Sequence, residues 1–320
     1  MPLENLTGQA FLAFEEKLDW LIDELCTRFN ADKSSFEIFG DLVYSPVPLC
    51  KNNFPYWASC VMLKPFFLTF DSVSNAANEL KQIQRNWASY QFTLFRRSTL
   101  IQEKLPYINL KTRNFPYKVP QSQIGLFCLI ENNKLIASSL TNSFLPAGKI
   151  RFVEDHENPP SRAYLKIQEA LVHFESIFNK FPKKGENCFE AGACPGGWTW
   201  VLCNLGCKVF AVDRSPLEES LMKNPLVKFL AHDAFTLKAE EIGEVDWVFS
   251  DVICYPERLY EWVNYWLKQK KVPNMICTIK MQGETNWEII EKFAQIQNSK
   301  VLHLNYNKHE LTWLYSNGTN

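Results

Sequence analysis

Three of the chain's 12 glycines fall within six positions, in Phe189-Glu190-Ala191-Gly192-Ala193-Cys194-Pro195-Gly196-Gly197-Trp198. The apolar residues before them read as a strand and those after as a helix, the junction where an open α/β sheet brings backbone against a cofactor. A dinucleotide site would use GxGxxG and set pyrophosphate on a helix N-terminus; here Pro195 interrupts and the pattern is GxxPGGW. A glycine loop without a phosphate cradle suits a zwitterionic, adenosine-bearing ligand such as S-adenosylmethionine. The loop residues Glu190, Gly192, Ala193, Cys194, Pro195, Gly196, Gly197 and Trp198 are then its contacts. Asp213 ends the next strand, Val209-Phe-Ala-Val-Asp213, where it would accept hydrogen bonds from ribose hydroxyls. Asp233, in His232-Asp233 after a third strand, would meet the adenine amino group. Taken singly, each acid reads equally well as a loop cap; the ordered set is what points to a ligand.

Two further apolar strands end in ionisable residues, Trp247-Val-Phe-Ser-Asp251 and Met275-Ile-Cys-Thr-Ile-Lys280. Ligands of open parallel sheets sit outside the carboxyl ends of the strands, so Asp251 and Lys280 fall beside the glycine loop, with Asp251 also within reach of the cofactor. A lysine closing an apolar strand asks for a partner. The pattern suits proton removal from a weakly acidic hydroxyl. Partial desolvation would favour the neutral amine at Lys280, and Asp251 would orient it.

The elements that must hold these groups follow from the apolar pattern. From Asn187 onward strands at 187–191, 208–212, 228–231, 245–251 and 274–280 alternate with helices at 197–205, 256–270 and 285–297, and two strands, 299–306 and 309–316, close the chain. Alternation of this kind makes a mostly parallel, doubly wound sheet with an antiparallel hairpin at its edge. Ahead of it, Tyr164, Ile167, Leu171, Phe174 and Phe178 form a helical stripe that leaves Lys166 off the core face, and Pro159-Pro160-Ser161 offers an N-cap. The N-terminal part reads as a smaller α+β unit. Helices are expected at 10–29 and 73–87, strands near 42–44, 60–63 and 66–70, and a hairpin over 124–140, turning at Glu131-Asn-Asn-Lys134 with positive φ at asparagine. The expected division is an N-terminal region 1–145, a linker 146–160 rich in proline, and a C-terminal α/β domain 161–320.

Net charge is only −1, yet residues 51–150 carry 12 Lys and Arg against 4 Asp and Glu. Within 81–118, Glu103 is the single acid, and Lys81, Arg85, Arg96, Arg97, Lys111 and Arg113 alternate with Trp87, Tyr90, Phe92, Phe95, Tyr107, Phe115 and Tyr117. Bases for phosphates beside rings for unstacked nucleobases make a candidate RNA-facing surface; a solvated basic face with its rings in the core is the other reading. With 46% hydrophobic and 22% charged residues the chain is neither disordered nor fibrous, and no apolar run is long enough to cross a bilayer. The N-terminus MPLENLTGQA lacks the basic start and apolar core of a secretory signal, so a cytoplasmic location is expected. Ten cysteines without a CxxC pair read as buried free thiols, the five histidines have no ligand spacing, and no metal is expected. A monomer is the default.

Ala191-Gly-Ala-Cys-Pro-Gly-Gly-Trp198, preceded by Ser161-Arg-Ala-Tyr-Leu-Lys166, resembles the FtsJ-like RNA ribose 2′-O-methyltransferases, and within them the bacterial branch that modifies a cytidine of large-subunit rRNA. The likeness covers 161–316. It implies a Rossmann-like, S-adenosylmethionine-dependent methyltransferase fold and a Lys-Asp-Lys-Glu catalytic tetrad, matched in order by Lys166, Asp251, Lys280 and Glu310, with Lys166 a second cation beside Lys280 that favours its neutral amine. Glu190 stands where the family usually has Asp. Over 10–145 the family's ferredoxin-like and RNA-binding THUMP modules are the implied counterparts. Large-subunit rRNA is thus the expected partner, with tRNA or mRNA cap as other targets. A non-catalytic assembly factor keeping a vestigial cofactor fold is the alternative from outside enzymology.

Overall fold

A computed structural model describes residues 3–269 and 273–318. The chain divides into two compact units, one of residues 3–113 with 119–151 and one of residues 114–118 with 152–318. Lys270, in the helix expected to end there, and residues 1–2 and 319–320 of the expected domains lie outside the described residues.

The first unit runs β1 (Leu3–Asn5), β2 (Gln9–Ala13), α1 (Leu18–Arg28), β3 (Glu37–Phe39), β4 (Leu42–Ser45), β5 (Ala58–Met62), β6 (Phe66–Thr69), α2 (Val73–Ile83), β7 (Trp87–Tyr90), α3 (Phe95–Lys104), β8 (Gly125–Glu131) and β9 (Lys134–Ser138). Its strands make two sheets, ordered β3-β4-β2-β5 and β1-β6-β9-β8-β7. Alternate residues explain the layering. Leu12, Leu42, Cys60 and Met62 of the smaller sheet share one core with Leu126, Cys128 and Ile136 of the larger. The opposite face of the larger sheet, with Leu68, Phe127 and Leu129, is covered by Ala76, Ala77 and Leu80 of α2 and Ile101 of α3.

Several local expectations are corrected here. Residues 9–13 form a strand instead of the start of a helix, because β2 lies inside its sheet and is buried along its whole length, so Ala10-Phe-Leu-Ala13 needs no period of 3.6. Helix α2 stops at Ile83, and Trp87 opens β7 with its Nε1–H donating to the Leu80 carbonyl at 2.9 Å. Helix α3 was not expected. The hairpin β8–β9 turns at Asn132-Asn133, but neither asparagine takes positive φ; the ladder instead shifts register between Leu129 and Glu131.

The second unit runs α4 (Tyr164–Phe178), β10 (Asn187–Ala191), α5 (Gly197–Asn204), β11 (Lys208–Asp213), α6 (Glu219–Met222), β12 (Val227–Ala231), α7 (Ala239–Ile242), β13 (Trp247–Ser250), α8 (Pro256–Leu267), β14 (Asn274–Lys280), α9 (Trp287–Ala294), β15 (Ser299–Leu302) and β16 (Glu310–Tyr315). The seven strands follow the order β12-β11-β10-β13-β14-β16-β15. The first five are parallel; β16 runs antiparallel between β14 and β15. This is the doubly wound Rossmann-like sheet expected. Strand order reverses at β10 and β13, whose carboxyl ends therefore open a crevice, because the chain leaves them in opposite directions. No helix among the described residues is long and apolar enough to cross a membrane.

Ser161 does not cap α4. The helix begins at Tyr164 after Ala163, and the Ser161 side chain instead packs against Gly197, where a Cβ would meet its oxygen at 2.6 Å. A glycine at that point lets the start of α4 approach the start of α5, and Tyr164 meets Trp200 edge-on at 5.6 Å. All ten cysteines are free; eight are buried as expected, Cys26 is half-buried and Cys194 is exposed in the glycine loop.

Candidate active site

Four charged side chains from four elements converge at the carboxyl end of the sheet. Lys166 comes from the first turn of α4, Asp251 follows β13, Lys280 ends β14 and Glu310 begins β16. Lys280 and Glu310 are cross-strand neighbours in the β14–β16 ladder. Lys166 Nζ lies 2.5 Å from Glu310 Oε1 and 3.2 Å from Asp251 Oδ1; Lys280 Nζ lies 3.1 Å from the same Asp251 oxygen and 4.0 Å from Glu310 Oε2. Side-chain exposures of 10–19% make this a nearly desolvated cluster with balanced charge.

Lys166 is thus not a bare cation beside Lys280, as the sequence suggested, because Asp251 bridges the two amines. Burial alone would push the Lys166 ammonium down, but Asp251 and Glu310 outweigh it and hold its pKa above the ordinary lysine value. The surroundings fix the backbone that carries the carboxylates. The Asp251 N–H donates to the Ala191 carbonyl at 3.2 Å, and the Glu310 carbonyl accepts from Asn307 Nδ2 at 3.2 Å. Glu169, buried on α4, accepts the N–H groups of Asn305 and Tyr306 at 2.9 and 3.0 Å and so ties the approach to Glu310 back to the helix that carries Lys166.

The glycine loop lies beside this cluster. Gly192 and Gly196 have φ of +77° and +114°, values that favour glycine, and a Cβ at Gly192 would meet Val252 Cγ2 at 2.7 Å, so the turn can close only without a side chain. The Cys194 N–H donates to Asp213 Oδ2 at 3.0 Å and the Ser215 N–H to Asp213 Oδ1 at 3.1 Å, which stitches the loop to the end of β11. Each carboxylate oxygen retains acceptor capacity for a ligand hydroxyl. Asp233 is held by Arg214 and Arg258, whose terminal nitrogens lie 2.8 and 3.2 Å from Oδ2, while Oδ1 accepts the Phe235 N–H. Sequence reasoning missed both arginines; Arg258 lies on α8, too far along the chain for a motif to link it to Asp233.

Glu190 and Trp198 are buried, each 3% exposed. Thr199 Oγ1–H donates to Glu190 Oε2 at 2.6 Å, and Trp198 packs edge-on against Phe249. Burial pushes the Glu190 carboxyl up to about 8, against the opposing pull of the Thr199 hydrogen bond. Folded protein therefore keeps this proton through neutrality, whereas the unfolded chain releases it near the ordinary glutamate value of 4.5. Its contribution to stability is complete below that value and is lost as pH rises through about 8. Glu190→Gln, which cannot ionise, should lose less stability than wild type between about pH 5 and about pH 9; urea midpoints at both values test this, and an equal fall in the two proteins would contradict it.

The residues expected to face RNA all lie in the first unit. Lys81, Arg85, Arg96 and Lys111 are exposed. Arg97 is half-buried with its guanidinium over the Phe70 ring at 5.6 Å, and Arg113 donates to the carbonyls of Asn109 and Lys111. Of the seven interleaved rings, Tyr107 and Phe95 are strongly exposed while Trp87 is fully buried, so the alternation of bases and rings along the chain is not an alternation on the surface.

Comparison with known proteins bears on the second unit. Residues 159–305 match the FtsJ-like methyltransferase model. The matched stretch contains the glycine loop, Lys166, Asp251 and Lys280. Relatives named Ribosomal RNA large subunit methyltransferase M include those of Hahella chejuensis, 31% identical over 56% of this chain and 46% of its own; Thauera aminoaromatica, 27% identical over 56% and 54%; and Halorhodospira halophila, 37% identical over 39% and 36%. The matches thus span about half the length of these relatives or less.

Proposed function

We propose that the chain is an S-adenosylmethionine-dependent RNA ribose 2′-O-methyltransferase acting on a nucleotide of large-subunit rRNA, in the cytoplasm. The observation that carries the reading is the Lys166–Asp251–Lys280–Glu310 cluster beside the glycine loop of an FtsJ-like domain. The names of the relatives support the RNA target.

The donor set of the crevice fits the cofactor. Gly192 to Gly197 offer close backbone, Asp213 offers acceptors for ribose hydroxyls, and Asp233 is set between two arginines at the end of β12 for the adenine edge. When bound, S-adenosylmethionine supplies an electrophilic methyl group on a sulfonium. The chain's own residues prepare the nucleophile. Lys280 Nζ, in its neutral form, would take the proton of the 2′-hydroxyl as the 2′-oxygen accepts the methyl group. Of the two lysines, Lys166 is the more tightly held, with Glu310 at 2.5 Å against 4.0 Å for Lys280, so Lys166 stays the fixed cation and Lys280 acts as the base. Asp251, in contact with both amines, orients Lys280, and Glu310 fixes Lys166. Alignment of oxygen and methyl carbon contributes up to about 7–11 kcal/mol in well-oriented systems.

A vestigial, non-catalytic protein has no use for four ionisable groups kept nearly desolvated in one crevice. The test is transfer of radiolabel from S-adenosylmethionine to total RNA from cells lacking the protein. Label in large-subunit rRNA, with the modified position resistant to alkaline cleavage, is the expected result. Absence of label from every RNA and from ribosomal particles, with cofactor binding intact, would overturn the reading; label in tRNA alone would change the target.

A further inference from the structure

The first unit contains a hollow of about 330 Å³ between the end of β7, the extended residues 109–113 and the turn 145–151. Lys111, Arg113, Lys149 and Arg151 line it, with Ser89 and Thr112 among its polar groups, and no Asp or Glu lines it. Four positive charges around one concavity repel one another unless an anion enters. Lys149 is the most exacting of them. It is half-buried, no carboxylate lies within 4 Å of it among the described residues, and burial pushes its ammonium down even with Glu15 and Asp41 in its field. Arg151 has Glu15 at 3.4 Å, but both side chains are about two-thirds exposed and such pairs are weak.

The hollow is also built rigidly. Arg113 N–H donates to the Arg151 carbonyl at 2.8 Å, which fixes two cationic segments side by side. The turn before Lys149 passes through Ala147 and Gly148 with φ of +51° and +71°, and a Cβ on Gly148 would fall 1.6 Å from the Ser59 carbonyl oxygen, so the turn is pressed onto β5. No aromatic side chain lines the hollow to stack a base. Such a site holds the sugar-phosphate chain and is indifferent to sequence.

We propose that this hollow binds phosphodiester groups of the RNA substrate, with Lys149 and Arg151 as its principal contacts. The proposal rests on the reading that RNA is the substrate. It adds two residues, Lys149 and Arg151, that lie outside the basic stretch 81–118.

The test is fluorescence anisotropy of the full chain with an end-labelled RNA stem-loop across a salt series. The variants are Lys149→Gln with Arg151→Gln together, and Lys149→Arg alone. The double variant should bind RNA at least about tenfold more weakly, with the slope of log affinity against log salt reduced by about 1.5, as the loss of two phosphate contacts requires. Lys149→Arg keeps the charge and should stay near wild type. Unchanged affinity and slope in the double variant, or an equal loss in Lys149→Arg, would overturn the proposal. So would inorganic phosphate that saturates a site absent from the double variant while RNA affinity is unmoved, since the hollow would then be a small-anion site. The two readings fail separately. RNA binding that depends on Lys149 without methyl transfer by wild type sinks the activity and spares the hollow; transfer with RNA affinity indifferent to Lys149 does the reverse.

Discussion

Lys280→Ala is expected to reduce single-turnover methyl transfer by about 10²–10⁴-fold, the range typical of a lost general base, while S-adenosylmethionine affinity measured by calorimetry stays within about twofold of wild type. The separation follows from geometry. Lys280 ends β14 and touches Asp251 and Glu310, whereas the glycine loop is stitched to Asp213, so removing the amine leaves the loop's hydrogen bonds in place. A second substitution distinguishes a base from a positive charge. Lys280→Arg preserves the cation for Asp251 but cannot accept a proton near neutrality, so it should be as inactive as the alanine variant. Substantial transfer by Lys280→Arg would show that charge alone suffices and would remove Lys280 from the role of base. A parallel loss of cofactor affinity in both variants would indicate a collapsed crevice instead.

The second unit was legible because its signals are local and repeated. The glycine loop, Asp213, Asp251 and Lys280 each close a strand whose apolar run is visible on its own, and β14 spans Asn274–Lys280 as read from the sequence. What could not be read was the pairing of groups distant in the chain. That Glu310 meets both lysines depends on β16 entering the sheet beside β14, a topological fact no short window contains. Arg258 reaching Asp233 is of the same kind. Glu190 and Trp198 belong to the glycine motif, yet both turn into the core, because β10 is an inner strand buried over 188–191 and the first turn of α5 is buried over 197–199. In the first unit the apolar residues of 10–29 satisfy a helical stripe and a buried strand followed by a helix equally well. Burial of β2 on both faces decided between them. Two cations of the hollow escaped notice for another reason: Lys149 and Arg151 stand in a stretch whose proline and glycine content reads as linker.

Glu24 carries the largest stability effect expected outside the crevice. Its carboxylate, fully buried on α1, accepts the N–H groups of Tyr56 at 2.9 Å and Trp57 at 3.0 Å and pairs with Arg28 one turn along the helix. It therefore fastens α1 to the segment that enters β5, serving two backbone donors that have no solvent to fall back on. Arg28 is itself only 6% exposed, and its guanidinium lies over the Tyr56 ring at 4.2 Å. Glu24→Ala would remove the carboxylate that Arg28 and two buried amides share, a change that costs about 3–5 kcal/mol for a broken buried pair. Glu24→Gln keeps one acceptor oxygen but turns an amide donor toward the other N–H, so its loss should be intermediate. Urea denaturation followed by tryptophan fluorescence reads this directly, since Trp57 and Trp20 meet edge-on at 4.8 Å beside the contact. The first transition should move to lower urea in the order Gln, then Ala. A loss below about 1 kcal/mol for alanine would mean that water reaches the freed amides, and that the helix is held to β5 by its apolar face alone.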